Sequence, residues 1–96
     1  MAEITWTDEA RRWLQEIYEY IAKDHPDAAY RIVTEIHEKA GLLAQFPQMG
    51  SRYRSDRDVR ILLSGKYRIA YLIKSPSQID VLGVFHGALD IERYLM

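Results

Sequence analysis

The stretch "VRILLSGKYRIAYLI", Val59 to Ile73, decides the reading of this chain. Two β-prone apolar runs, Val59 to Leu63 and Tyr67 to Ile73, flank "SGK", a short Gly-containing turn. That pattern predicts a β-hairpin. Each run carries one arginine, Arg60 or Arg68, among apolar neighbours. A permanent cation in the middle of each of two paired strands needs a reason, either structural or functional.

Downstream of the hairpin, "SPSQ" reads as a turn and Ile79 to His86 as a third strand. "HGALD" turns the chain again, and "IERYLM" is a short helix or an extended tail. Upstream, "PQMGSRYRSDRD" is a loop by its Pro, Gly, Ser and Asp content. Before it lie two helices. Ala10, Trp13, Leu14, Ile17 and Ile21 recur at helical spacing after Thr7, a capping residue followed by the acids Asp8 and Glu9. Pro26 stops this helix near Asp24 and opens the next one. There Ala29, Ile32, Val33, Ile36, Ala40 and Leu43 form a second stripe, ended by Pro47 after Phe46. With the β-prone "EITW" at the start, the order is β-α-α-β-β-β. The expected fold is α+β: one domain over residues 1–96, with an N-terminal helical hairpin packed on a small, curved, mainly antiparallel sheet.

Composition sets the bounds. A chain of 96 residues with 48% apolar and 28% charged residues is one folded domain with a modest core. It has no cysteine, so neither a disulfide nor a thiolate site is available. No apolar run is long enough to cross a bilayer, and "MAEITWTDEA" lacks the features of a signal peptide; the expected location is the cytoplasm. The net charge of -1 hides an asymmetry. Residues 1–48 hold nine acids and five bases, whereas residues 49–96 hold five acids and eight bases. The excess gathers in a basic loop, Arg52, Arg54 and Arg57, and continues through Arg60, Lys66 and Arg68. Such a cluster attracts anions; equally, it is an ordinary solvated, charge-mixed surface.

Strand alternation assigns the faces. Tyr67, Ile69, Tyr71 and Ile73 oppose Arg68, Ala70 and Leu72. Val59, Ile61 and Leu63 oppose Arg60 and Leu62, while Ile79, Val81, Gly83 and Phe85 oppose Asp80, Leu82, Val84 and His86. With Val59, Ile69 and Val81 under the helices, the open face carries Arg60, Arg68 and His86 among Leu62, Ala70, Leu72, Leu82 and Val84. That is a mixed cationic and apolar surface suited to binding. The structural alternative is cross-strand pairing of Arg60 and Arg68 with Asp80 and Asp58.

Across essentially its whole length the chain resembles the RelE/ParE superfamily of toxins from type II toxin–antitoxin systems. The resemblance rests on "ITWTDEARRWLQEIYEYIAKDHPDAA", "LLAQFPQMGSRYR", "VRILLSGKYRIAYLI" and "VLGVFHGALDIERYL". It is closer to the ParE-like branch, with "FP-x-x-G" after the second helix and "HGA" after the last strand. It implies a cytoplasmic toxin with no cofactor, and a cognate antitoxin protein whose tail covers it and offers a carboxylate to Arg60 or Arg68. ParE-like members are similar to gyrase poisons, which makes DNA gyrase the expected target. RelE-like members are ribosome-dependent mRNA endoribonucleases, and in that alternative, with ribosome and mRNA as partners, Arg68, His86 and Tyr94 would be catalytic. RNA cleavage needs a base, a cation for the phosphorane and an acid. The nuclease branch carries a basic run after the last strand; here that run is "GALDIERY", with Leu89 and Asp90. Leu89 also replaces the arginine of the ParE-like pattern, which motivates a third reading, a degenerate non-toxic relative. The expected antitoxin- or target-binding residues are Arg60, Arg68, Leu72, Leu82, Val84 and His86. His25 and His37 have no ligand set at metal-binding spacing, so no metal is expected. Tyr18, Tyr20 and Tyr30 read as packing and interface residues.

Overall fold

The computed structural model describes residues 1–53 and 58–87. Its elements are β1 (Glu3–Trp6), α1 (Asp8–Ala22), α2 (Pro26–Gly41), β2 (Ser51–Arg52), β3 (Val59–Ser64), β4 (Tyr67–Ser75) and β5 (Gln78–Phe85). Local chemistry explains their bounds. The Ala10 N–H donates to Thr7 Oγ1 at 3.1 Å, which caps α1. The same hydroxyl donates to the Val81 carbonyl at 2.9 Å, so one side chain starts the helix and ties it to β5. Pro26 stands at the start of α2, where its missing N–H costs nothing. The second helix is shorter than expected. It ends at Gly41 and tightens into a 3-10 turn, Leu42–Ala44, because glycine weakens a helix and Pro47 cannot extend it.

The five strands form one mixed sheet in the order β1-β5-β4-β3-β2. The β3–β4 hairpin closes with the loop Gly65–Lys66, between the paired residues Ser64 and Tyr67. β5 returns antiparallel to β4, and β1 adds parallel to β5 from Glu3 opposite Gln78 to Trp6 opposite Val81. The short strand β2, inside the segment expected to be only loop, pairs Arg52 with Arg60.

The helices cover one face of the sheet. Ala10, Ile36, Ala40 and Leu43 pack on Leu62, Ile69, Tyr71, Ile79, Val81 and Val84. Each fully buried Ile, Leu or Val here contributes about 2 kcal/mol through burial. A smaller cluster forms on the opposite face, where Ala70 and Phe85 are buried beside Trp13, Ile61 and Leu82. Because β1 ends opposite Val81, no strand among the described residues flanks β5 on that side from Leu82 onward. Trp13 of α1 meets Phe85 there, with ring centroids 4.9 Å apart.

Two face assignments differ from the expectation. In β5, Ala70 pairs with Gly83 but Tyr71 pairs with Val81, which leaves Leu82 as an extra residue, a β-bulge. The bulge inverts the alternation beyond it. Gly83 and Phe85 therefore lie on the open face, and Val84 lies in the helix-covered core beside Ile69. The Phe85 ring folds over Gly83, and a Cβ at that glycine would fall 2.6 Å from the ring's far carbon. In β3, Leu62 pairs with Ile69 in the core, and Arg60 pairs with Tyr71 on that same face. Val59, Ile61 and Leu63 face the other way, opposite Leu72, Ala70 and Arg68. Apolar residues on both faces of β3 left its phase open to misreading. Among the described residues no helix is long and apolar enough to cross a membrane.

Candidate functional site

The expected constellation of Arg60, Arg68 and His86 on one open face does not exist. Arg60 lies on the helix-covered face, its side chain only 14% exposed. Its Nε donates to Asp58 Oδ1 at 3.0 Å, and its Nη1 donates to the Gly50 carbonyl at 3.0 Å and the Gln48 carbonyl at 3.5 Å. Beside it, the buried Tyr71 hydroxyl donates to the Pro47 carbonyl at 2.7 Å and accepts the Gly50 N–H at 2.9 Å. Two side chains thus lash the segment Pro47 to Gly50 onto the sheet. Burial pushes the Tyr71 phenol up; the Gly50 hydrogen bond and the Arg60 cation oppose this in part. Gly50 must be glycine, because a Cβ there would meet the Ile61 carbonyl and the Tyr71 hydroxyl at 2.8 Å each.

Arg68 does lie on the open face, half-buried between its cross-strand neighbours Leu63 and Phe85. It makes no ion pair among the described residues; of the two expected acidic partners, Asp80 pairs with Lys74 at 3.5 Å and Asp58 with Arg60 at 3.0 Å. Leu72 shares that face, and Leu63, 57% exposed, makes it markedly apolar. Leu82 packs against the Ala70–Phe85 cluster, whereas Val84 is fully buried and offers no surface. His86 lies just past the end of β5, exposed, edge-on to the Tyr67 ring at 5.4 Å. Tyr67 packs against the helix-side core, so this imidazole and the Arg68 guanidinium face opposite ways. Burial, with Tyr20 adding to it, raises the Tyr67 phenol above its ordinary range. Arg52 is exposed in β2. Arg54, Arg57, Leu89, Asp90 and Tyr94 lie outside the described residues. Among the described residues no three His, Cys, Asp or Glu side chains gather as a metal site.

A groove that the sequence reading missed runs between β1 and the helical hairpin, with a volume of about 660 Å³. Trp6, Arg11, Leu14, Tyr18, Val33 and His37 are among its lining residues. His37 stacks on Trp6 with centroids 5.2 Å apart and planes 3° from parallel. The signal was present: Tyr18 and Val33 border the two core stripes, and Trp6 ends an edge strand. An apolar hollow of about 980 Å³ lies at the lashed segment, between Phe46, Pro47 and Met49 on one side and Ile73 and Pro76 on the other.

Comparisons with known proteins fit this architecture. A protein of Sinorhizobium fredii (strain NBRC 101917 / NGR234), "Putative toxin Y4kP", is 40% identical over 86 residues, which cover 88% of this chain and 86% of that protein. Among solved structures, a chain from the chromosomal ParDE system of P. aeruginosa superposes with a TM-score of 0.79 at 24% identity, covering 92% of this chain and 98% of that one. A chain of the toxin–antitoxin complex RelBE2 from Mycobacterium tuberculosis gives 0.67 at 24% identity, covering 90% and 98%. These two likenesses establish the α+β fold of two helices on a mixed sheet. The model of the family described as "ParE toxin of type II toxin-antitoxin system, parDE" matches residues 4–91. With that match and the 40% identity to this relative, the chain belongs to the ParE toxin family of type II toxin–antitoxin systems.

Proposed function

We propose that this toxin acts in the cytoplasm by occupying or trapping DNA gyrase, without nuclease chemistry, and that a cognate antitoxin neutralises it. The observation that carries the reading is the separation of Arg68 from His86 on opposite faces of the sheet. Endonucleolytic cleavage needs its cation and its proton-transfer groups around one phosphate. A poison needs only surface complementarity, and the Arg68 face supplies apolar area with one cation. The antitoxin contact proposed here is a carboxylate on Arg68, flanked by Leu63 and Leu72. Arg60 is withdrawn from this role because Asp58 and two carbonyls already engage it.

The test is purified toxin with gyrase and a plasmid substrate. Loss of supercoiling, or accumulation of cleaved DNA complex, is the expected result. Unchanged supercoiling at saturating toxin with no cleaved complex would overturn the gyrase reading. Transcript cleavage in cells that disappears in Arg68→Ala would restore the nuclease reading. For the partner, Arg68→Glu should weaken the toxin–antitoxin complex, and unaltered affinity removes that contact.

A further inference from the structure

We propose that the apolar hollow at the lashed segment docks a second copy of this chain, related to the first by a twofold axis. The proposal stands apart from the gyrase and antitoxin readings, because it uses neither the Arg68 face nor the β1 groove.

The near wall of the hollow is held in an exposed position. Phe46 is 56% exposed and Met49 40% exposed, although both are large and apolar. The segment beside them is fixed by buried groups. The Tyr71 hydroxyl holds the Pro47 carbonyl and the Gly50 N–H, and Arg60 holds the Gln48 and Gly50 carbonyls. Ile73 and Pro76 form the far wall, so a space of about 980 Å³ lies next to two apolar projections. Exposed apolar surface of this kind marks an interaction site. A projection beside a hollow on one surface is self-complementary under a twofold axis, because each copy offers the part that the other lacks. The Phe46 ring of each copy thus enters the hollow of the other, and the flexible Met49 side chain adapts to it.

The charges at the rim select the same occupant. Among the described residues, Asp58 is the only charged side chain lining the hollow. Its Oδ1 accepts from Arg60 Nε at 3.0 Å, yet the Asp58 side chain is 34% exposed against 14% for Arg60. The pair therefore turns its negative end outward. The exposed Arg52 stands opposite Arg60 in the neighbouring strand β2. Two cations directly across a strand pair repel each other. Arg52 has no ion pair among the described residues to offset this. The rim thus presents one outward carboxylate and one outward guanidinium. A twofold axis between two copies sets Arg52 of each against Asp58 of the other and satisfies both. A partner carrying a single sign of charge would satisfy only one.

Sedimentation velocity of the purified toxin tests the assembly, with an expected monomer–dimer midpoint of roughly 50 µM, as for a small interface. Phe46→Ser should weaken the dimer about tenfold or more, and Arg52→Glu about fivefold, with the urea midpoint of each variant unchanged. Should either variant fold poorly, cross-linking decides. The chain has no cysteine, so Met49→Cys should oxidise to a covalent dimer. Tyr30→Cys, exposed near the opposite end of α2, should stay monomeric under the same oxidation. A toxin that sediments as a monomer up to millimolar concentration overturns the proposal. So does a dimer unmoved by a folded Phe46→Ser, or a dimer trapped by Tyr30→Cys and not by Met49→Cys. A monomeric toxin whose Met49 methyl signal shifts on adding gyrase or antitoxin puts that protein in the hollow and equally removes the second copy.

Discussion

Arg60 and Arg68 occupy equivalent-looking places in paired strands, yet the two regions around them do different work. Arg60 sits beside Tyr71 on the helix-covered face, and its hydrogen bonds go to Asp58 and to the segment Pro47 to Gly50. Arg68 sits on the opposite face between Leu63 and Phe85, with no ion pair among the described residues. The difference shows how a cation in a strand is to be read. Its meaning comes from what lies across the strand and over the face, not from the strand itself. A charge with every nearby acceptor engaged is part of the frame, and one left half-buried among apolar neighbours is available to a partner.

The contrast can be broken experimentally, and the largest expected effect falls on the Arg60 side. Gly50→Ala forces a Cβ against the Ile61 carbonyl and the Tyr71 hydroxyl, and should cost about 3 kcal/mol, read as a lowered urea midpoint. Arg60→Ala leaves Asp58 and the Gly50 carbonyl without their donor, and should cost about 2 kcal/mol by the same measurement. Tyr71→Phe removes both hydroxyl bonds to the lashed segment, for about 1.5 kcal/mol.

Tyr71→Phe also sharpens the comparison through pH. The folded phenol is raised above its ordinary value of 10.0, so the unfolded chain ionises first as pH rises. The stabilisation is complete below about pH 10 and is lost as pH climbs from there through the folded value. The variant should flatten part of this alkaline loss; Tyr67, raised by its own burial, keeps the remainder. An unchanged alkaline slope would mean that Tyr71 is not the responsible group. The smallest expected change is Arg68→Ala, which should shift stability by less than about 0.5 kcal/mol. If Arg68→Ala destabilises the fold as much as Arg60→Ala, the two arginines are not distinct in kind.

Much of the architecture was legible in the residues. Thr7 with its acids, Pro26, and the two apolar stripes located the helices, and the turn inside Val59 to Ile73 located the hairpin. Alternation placed every residue of β4 correctly, because Ile69 and Tyr71 belong to the core and Arg68 to the open face. It failed in β3, where Ile61, Leu62 and Leu63 are all apolar and a period of two has nothing to lock onto. It failed again beyond Val81, because a bulge leaves no mark in hydrophobicity. The site suffered more than the fold. One inverted strand end moved Val84 into the core and His86 across the sheet, and one misphased strand moved Arg60 under the helices. The β1 groove was missed for another reason: it depends on the parallel pairing of β1 with β5, a contact between chain segments more than seventy residues apart.

The extra residue at Leu82 carries a consequence for protein engineering. It acts as a one-residue spacer that decides which side each later group of β5 serves. Were Leu82 instead to pair with Ala70, the roles of Phe85 and Val84 would be exchanged, sending an aromatic ring inward and an aliphatic one out, whereas deleting Leu82 would leave both where they are. Loop grafts or chimeras in this toxin family should therefore be joined by counting residues from the bulge. Matching residue names across the junction, even perfectly, would assemble the right side chains on the wrong side of the sheet.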